Sequence, residues 1–344
     1  MDSLTQIVLG AAVGELTMGR KIGNKAQLFG AIAGTIPDLD ILLNLFFPDD
    51  LSKLLIHRSY SHALLTHFVL AFPLSWWCFK AYKRQFAFNN WYKLWFLGLS
   101  THALLDACTT YGTRLFLPFS DYQVGLNNIS VIDPLYTLPF LFLLLICLFK
   151  RKDDPSRKLW AKRAVYMSSA YMCMTFGIKW YVHHQFKNDW IVKQGEPIEH
   201  LYTSPTFFNN ALWAGIATND SVLMIGEYSI FENRQSGQSI NKIKFKRNLH
   251  LEKGFEGKGL ETLKWFSQGK YFLDLKDSNT LRVYITKWGR SDFSETDPQK
   301  EFVFFYEIDN RKPDEIKAIQ PKFESGIMKK ALTQLWNRIW SRDI

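Results

Sequence analysis

The stretch "HRSYSHALLTHFVLAFPLSWWCFK", His57 to Lys80, sets three imidazoles and a guanidinium at or near the mouth of an apolar run, Ala63–Phe79, that contains no formal charge. A helix needs roughly 20 apolar residues to cross ~30 Å of hydrocarbon, and 17 is the short limit. The run reads as a transmembrane segment. Similar runs occur at Leu4–Met18, Ala26–Phe47, Trp91–Thr109, Val131–Phe149 and Ala161–Tyr181. The first is short and carries Glu15. Counted this way, residues 1–184 form a polytopic α-helical membrane domain of about five to six spans, and residues 185–344 a soluble α+β domain. The lipid bilayer is then the first partner expected. Gly10/Gly14 and Gly30/Gly34 have the small-residue spacing that lets helix backbones approach closely.

Charge gives a direction to these segments. The net charge of +10 could point to nucleic acid, but its distribution argues otherwise. Arg20, Lys21 and Lys25 follow the first run, Lys80, Lys83 and Arg84 the third, and Lys150 to Arg163 supply seven more cations after the fifth. The alternate loops hold little beyond Lys53, Arg58 and Arg114. That asymmetry orients membrane proteins with basic loops inside, and it removes nucleic acid from the expected partners. The amino terminus lacks a basic n-region and a cleavage site, so it reads as a retained span. Cys78, Cys108, Cys147 and Cys173 all lie in the apolar half and outline neither a disulfide framework nor a thiolate metal site.

With basic loops inside, Asp38, Asp40, His57, His62, His102, Asp106 and Asp133 all fall toward the outer face, with Asp2 and Gln6 at the outer end of the first run. His102 and Asp106 are four apart on a helix and share one face. Ionisable groups at membrane depth are costly and mark function. Imidazole and carboxylate together are the ligand set of a catalytic divalent metal, zinc before manganese or iron. We therefore expect His57, His62, His102 and Asp106 to share a metal. His57 and His62 are five apart and converge only if the chain before the third run is irregular. His67 reads as a packed or hydrogen-bonded residue, and His183 and His184 beside Trp180 and Tyr181 as interface markers. Asp133 before Pro134 has the form of a helix cap.

"PDLD", "HRSYSHALL" and "THALLDACTTYGTRLFLP" together resemble the motifs of the YdjM-type inner-membrane-associated metal-dependent hydrolases of bacteria. The resemblance covers about Met1 to Pro139. Position by position it implies ligand or near-ligand roles for Asp38, His57, His62, His102 and Asp106, with Asp40 close by. The step from His102 to Asp106 is also similar to one in zinc-dependent phospholipase C and P1-type nucleases. Many YdjM-type relatives carry a histidine where this chain has Gln6; Gln6 can offer a carbonyl oxygen, and Asp2 or Glu15 can substitute. The resemblance implies a metal-activated water cleaving an ester or phosphoester in an amphiphilic lipid or envelope substrate. Asp40 would then serve as base, and Arg58 as either a phosphate clamp or a snorkelling side chain. Two rivals remain: an ion- or proton-coupled transporter, and a non-enzymatic envelope protein braced by a metal. Oligomeric state is not legible.

After about Gln185 the pattern alternates. "SVLMIGEYSIFE", "KYFLDLK", "LRVYITKWG" and "EFVFFYEID" read as strands, and "KGLETLKWFSQG" as a helix between them. Ile327, Met328, Ala331, Leu332, Leu335, Trp336, Ile339 and Trp340 form a helical stripe for packing on the sheet, or alternatively for a membrane surface. This half has no serine elbow, Walker loop or HExxH, and His200 and His250 read as surface or structural. "TSPTFFNNALW" is either a loop closing the site or a plain connector. An even number of spans would put this domain outside with the metal site, as a provisional lid.

Overall fold

Gly10 and Gly14 face Gly30 and Gly34 so closely that a Cβ on Gly14 would lie 2.0 Å from the Ala26 carbonyl oxygen, and one on Gly30 2.1 Å from that of Gly10. These residues hold helix α1 (Ser3–Ile22) against α2 (Asn24–Ala33). Only glycine permits backbones to touch in this way. The structure, a computed structural model, describes residues 1–232, 239–289, 302, 305–319 and 325–340, without the side chains of 325–331. It contains two compact units, Met1–Pro48 with Lys53–Phe176, and Asp49–Ser52 with Gly177–Ile344.

In the first unit Asp2 caps α1, its Oδ1 accepting from the Thr5 amide at 3.0 Å. After α2 the chain bends at Gly34 and Thr35 and continues as a 3-10 helix, Ile36–Leu45. There follow α3 (Asp50–Ile56), a 3-10 turn at Tyr60–His62, α4 (Leu64–Ala81), α5 (Phe88–Ala107), α6 (Pro134–Leu148) and α7 (Pro155–Phe186), the last running through both units. Asp133 is a cap: its Oδ1 accepts from the Leu135 amide at 3.0 Å, and its Oδ2 from the Tyr171 hydroxyl at 2.9 Å.

The expected five to six spans are not found. Among the described residues one helix, α4, is long and apolar enough to cross a bilayer, or two spans exist if α2 and the 3-10 helix, bent by 45°, count as one. The reasons are local. Glu15 and Gln6 are buried within α1, which packs polar groups inside the unit. α6 has 15 residues and covers only about 22 Å at 1.5 Å per residue. α5 interrupts its apolar run with His102 and Asp106, and α7 opens with four cations. With so few spans, loop counting no longer places the second unit on either side. The chain is an α+β protein carrying at least one helix of bilayer character.

α4 itself is built outward: Phe68, Val69, Phe72, Trp76 and Trp77 are exposed, while His67, Ala71, Ser75 and Cys78 are buried. A core helix of a water-surrounded protein would do the reverse.

The second unit holds two antiparallel four-stranded sheets. β1 (His200–Pro205), β2 (Leu212–Thr218), β3 (Val222–Ser229) and β4 (Lys242–Lys246) form one. β5 (Tyr271–Asp277), β6 (Thr280–Ile285), β7 (Phe305–Asp309) and β8 (Lys317–Ile319) form the other, with α8 (Lys258–Ser267) before β5, as its sequence predicts. Ile216, Leu223, Ile225, Phe245, Phe272, Tyr284 and Phe302 make a shared core. "TSPTFFNNALW" is a hairpin connector, Asn209 Oδ1 accepting from the amides of Ala211 and Leu212. Residues 301, 303 and 304 of the expected fourth strand lie outside the described residues. On α9 (Ser325–Ile339) Leu335 is buried, Leu332 and Trp336 are exposed, and the side chains of Ile327, Met328 and Ala331 lie outside the described residues.

The largest polar commitment away from the site is the buried pair of Glu15 and Arg157. Arg157 Nε donates to Glu15 Oε1 at 2.6 Å and Nη1 to Asn24 Oδ1 at 2.7 Å, while Gln27 Nε2 donates to Glu15 Oε2 at 2.9 Å. Removing one member leaves the other charge buried without its partner, which costs about 3–5 kcal/mol. Arg157→Ala is expected to lower stability by that order in detergent unfolding, and an unchanged midpoint would show the pair to be dispensable.

Candidate metal centre

In a 3-10 helix with three residues per turn, positions two apart point in different directions. Asp38 and Asp40 sit two apart in Ile36–Leu45 and address different partners. Asp38 Oδ1 lies 3.5 Å from His62 Nε2 and 3.4 Å from His102 Nε2. Asp40 turns to His57 instead, its Oδ1 3.1 Å from His57 Nδ1.

His62 reaches the site because the chain between α3 and α4 is irregular. Arg58 adopts a positive φ of 55°, and its amide donates to Asp40 Oδ2 at 2.9 Å. The 3-10 turn Tyr60–His62 follows, pinned by His67 Nε2, which donates to the Ser61 carbonyl at 2.8 Å. His67 is thus a hydrogen-bonded packing residue, as expected.

Asp38, His62, His102 and Asp106 each offer one ligand atom, and these atoms lie within 4.8 Å of one another. The hydrogen bonds behind them fix which imidazole nitrogens are bare. His102 Nδ1 donates to the Gly34 carbonyl at 2.7 Å, so Nε2 of the neutral ring presents a lone pair. Ser61 Oγ donates to Asp40 Oδ2 at 2.8 Å and so accepts from His62 Nδ1 at 2.9 Å, which leaves His62 Nε2 bare as well. The two bare nitrogens are 3.1 Å apart. Asp106 Oδ2 stands 3.2 Å from His62 Nε2. Two imidazole nitrogens and two carboxylate oxygens at this spacing need positive charge between or beside them, and orienting histidines through their second nitrogen is how metal sites are built. The donor set, two nitrogens and two carboxylate oxygens, fits a divalent metal such as zinc.

Asp106 is held from the other side too. Its Oδ1 accepts from Gln6 Nε2 at 2.9 Å and meets the amino group of Met1, while Arg58 Nε is 3.1 Å from Oδ2. Burial opposes charge on this carboxyl, yet Arg58 and its other partners keep it well below the ordinary carboxylate range. Burial likewise opposes charging His62, but hydrogen bonds with Asp106 and Asp38 raise its pKa. Without a metal, a proton supplies the missing positive charge.

His57 stands outside this group. Its side chain is 33% exposed and its ring is 5.2 Å from Tyr111, 6.4 Å from His62. Arg58 is buried, with Nη1 donating to Thr109 Oγ1 at 3.2 Å and its guanidinium over Tyr111. Gln6 acts through its amide nitrogen, and its Oε1 is buried without a partner. Asp2 and Glu15 are committed to the cap and to Arg157.

Residues 1–186 match the family described as YdjM inner membrane protein. The chain belongs to that family. No curated protein and no solved structure matches it, so the likeness of His102 and Asp106 to phospholipase C has no support beyond the spacing. The match covers the whole of the first unit, and with it Asp38, Asp40, His57, Arg58, His62, His102 and Asp106.

Sequence reasoning about this YdjM family member missed Ser61, Thr109, Tyr111 and the Gly34 carbonyl. Ser61, Thr109 and Tyr111 lie inside the quoted motifs, beside residues that were singled out; the Gly34 carbonyl has no sequence signature. Loss of a group that orients a ligand costs 10–100-fold in metal affinity, and Ser61→Ala is expected to weaken zinc binding by about that factor, read by competition with a chelating dye. Because the His62 pKa is raised, metal must displace a proton. Affinity should therefore rise with pH through that titration, and a pH-independent affinity would contradict the assignment.

Proposed function

We propose that this protein is a metal-dependent hydrolase of the inner membrane that cleaves an ester or phosphoester in an amphiphilic lipid or envelope substrate. The observation that carries the reading is the convergence of bare nitrogens on His62 and His102 with carboxylate oxygens of Asp38 and Asp106. Asp38, His62, His102 and Asp106 hold the ion. A divalent ion there, zinc by its donor set, supplies Lewis-acid polarisation of the ester and a nucleophilic water near neutral pH.

The surrounding residues shape what binds. Asp38 is the most open of the four, with 27% of its side chain exposed, and defines the approach. Arg58 brings a permanent positive charge within 3.1 Å of Asp106 and favours an anionic group, as a phosphoester presents. α4 begins two residues beyond His62, and its outward face is apolar, so the metal group lies at the mouth of the membrane helix. An amphiphile in the bilayer is the substrate this position favours. Lys80, Lys83 and Arg84 follow α4, and cations at that end support a reading in which it faces the cytoplasm and the metal group the outer side.

A carrier would spread its polar groups along the depth of several spans. Here the acids and imidazoles meet at one point, which favours the hydrolase. A metal that only braces the fold is separated from it by experiment. Purified protein is expected to hold one stoichiometric divalent ion and to hydrolyse bis(p-nitrophenyl) phosphate or a short-chain nitrophenyl ester. Chelation should abolish turnover and zinc restore it, while His102→Ala should lose both ion and turnover. Stoichiometric metal without hydrolysis of either probe or of extracted membrane lipid would leave the bracing role standing in its place.

A further inference from the structure

Asp40 and His57 form a pair that the four-atom metal group does not use. Asp40 is buried, with 1% of its side chain exposed, and its oxygens are already taken by three donors: His57 Nδ1 at 3.1 Å, the Arg58 amide at 2.9 Å and Ser61 Oγ at 2.8 Å. A carboxylate so engaged is a poor acceptor for a further proton. Its effect is on His57, whose Nδ1–H it accepts, fixing the tautomer and leaving Nε2 bare on a ring that is one-third exposed. The nearest alternatives lack the right chemistry. Arg58 keeps its proton under all ordinary conditions. Desolvation of the half-buried Tyr111 pushes its hydroxyl up to about 12. His62 and His102 have their bare nitrogens directed at Asp38 and Asp106.

We propose that His57, oriented by Asp40, is the proton-transfer residue of this site. The inference rests on the hydrolytic reading above and deepens it. As water oxygen bonds to the phosphorus or carbonyl carbon, the water proton passes to His57 Nε2. When the ester bond breaks, that proton passes from Nε2 to the leaving oxygen, so ester and water become acid and alcohol with the imidazole restored. Asp40 is a positioning residue: it touches neither water nor ester and holds the ring in one tautomer.

Two measurements test this. Diethyl pyrocarbonate labelling of the full chain, read by peptide mass spectrometry with and without zinc, needs no turnover. His57, one-third exposed, is expected to be carbethoxylated at the same rate in both states, whereas buried His62 and His102 react little in either. Protection of His57 by zinc would make it a ligand and overturn the proposal. With bis(p-nitrophenyl) phosphate, His57→Ala should lower kcat about 10²–10⁴-fold, the usual worth of a general acid–base group. KM and bound zinc should stay unchanged, with partial recovery on adding imidazole. Asp40→Asn should give a smaller loss that imidazole does not repair. Full turnover in His57→Ala, with the wild type active, overturns this inference alone. A wild type that is loaded with zinc but hydrolyses no probe overturns the hydrolytic reading and the proton-transfer role with it.

Discussion

The Nε2 atoms of His62 and His102 lie 3.1 Å apart and need positive charge between or beside them, and in this chain neither ring is free to turn away. His102 is locked by the Gly34 carbonyl and His62 by Ser61, which is itself locked by Asp40. Each lock uses the ring's other nitrogen, so the remaining nitrogens face the carboxylates in an arrangement that could hold a cation. A carboxylate network of this kind, half satisfied, is worse than an apolar core. His62, His102 and Asp106 are buried and Asp38 is partly open, so the cluster has one side from which a proton or an ion could reach it.

Most of the first unit can be understood as support for that cluster. The Gly34 carbonyl faces His102 because the chain breaks where α2 passes into a 3-10 helix. The break is held in place by the glycine contacts of α1 on α2, and by Gly98 of α5, where a Cβ would come within 2.6 Å of Ala33 Cβ. The same α1 presents Gln6 to Asp106 near one end and Glu15 to Arg157 near the other. It therefore has no polar-free length to offer lipid, and Gln6 and Glu15 face inward, where the Gln6 amide nitrogen and the Glu15 carboxylate have defined partners. Its small residues serve the interhelix contact. Composition alone makes such a helix look like a span.

This separates what the sequence carried from what it did not. His102 and Asp106 were legible because helical spacing makes four residues one turn. His62 was legible only jointly with them. The division of labour between Asp38 and Asp40 was not, because it depends on a 3-10 helix where apolar composition predicts an α-helix. His57 and His62 read alike in "HRSYSH", yet the positive φ of Arg58 and the turn after it send them to different carboxylates. Span number failed for a related reason: hydropathy averages around a helix, while only the outward face meets lipid. In the second unit, β2 (Leu212–Thr218) is buried at every position, so the alternation that revealed β3, β5 and β6 is missing from it.

The contact between α4 and the metal group is the last element of the design. His67 sits on the buried face of α4, one turn into the helix, and its Nε2–H holds the carbonyl of Ser61. Ser61 in turn contacts both His62 and Asp40, so three of the groups around the site are referred to the start of the one unbroken helix, among the described residues, that is long and apolar enough to cross a bilayer. The opposite face of that helix carries Phe68, Phe72 and Trp76 outward. The outward apolar face of α4 and the placement of the imidazoles from its buried face therefore share one rigid element. For the amphiphilic substrate proposed above, ligands referred to a rigid helix and not to a loop would keep a constant depth, which is what a site needs if it is to act on a group at the boundary between hydrocarbon and water.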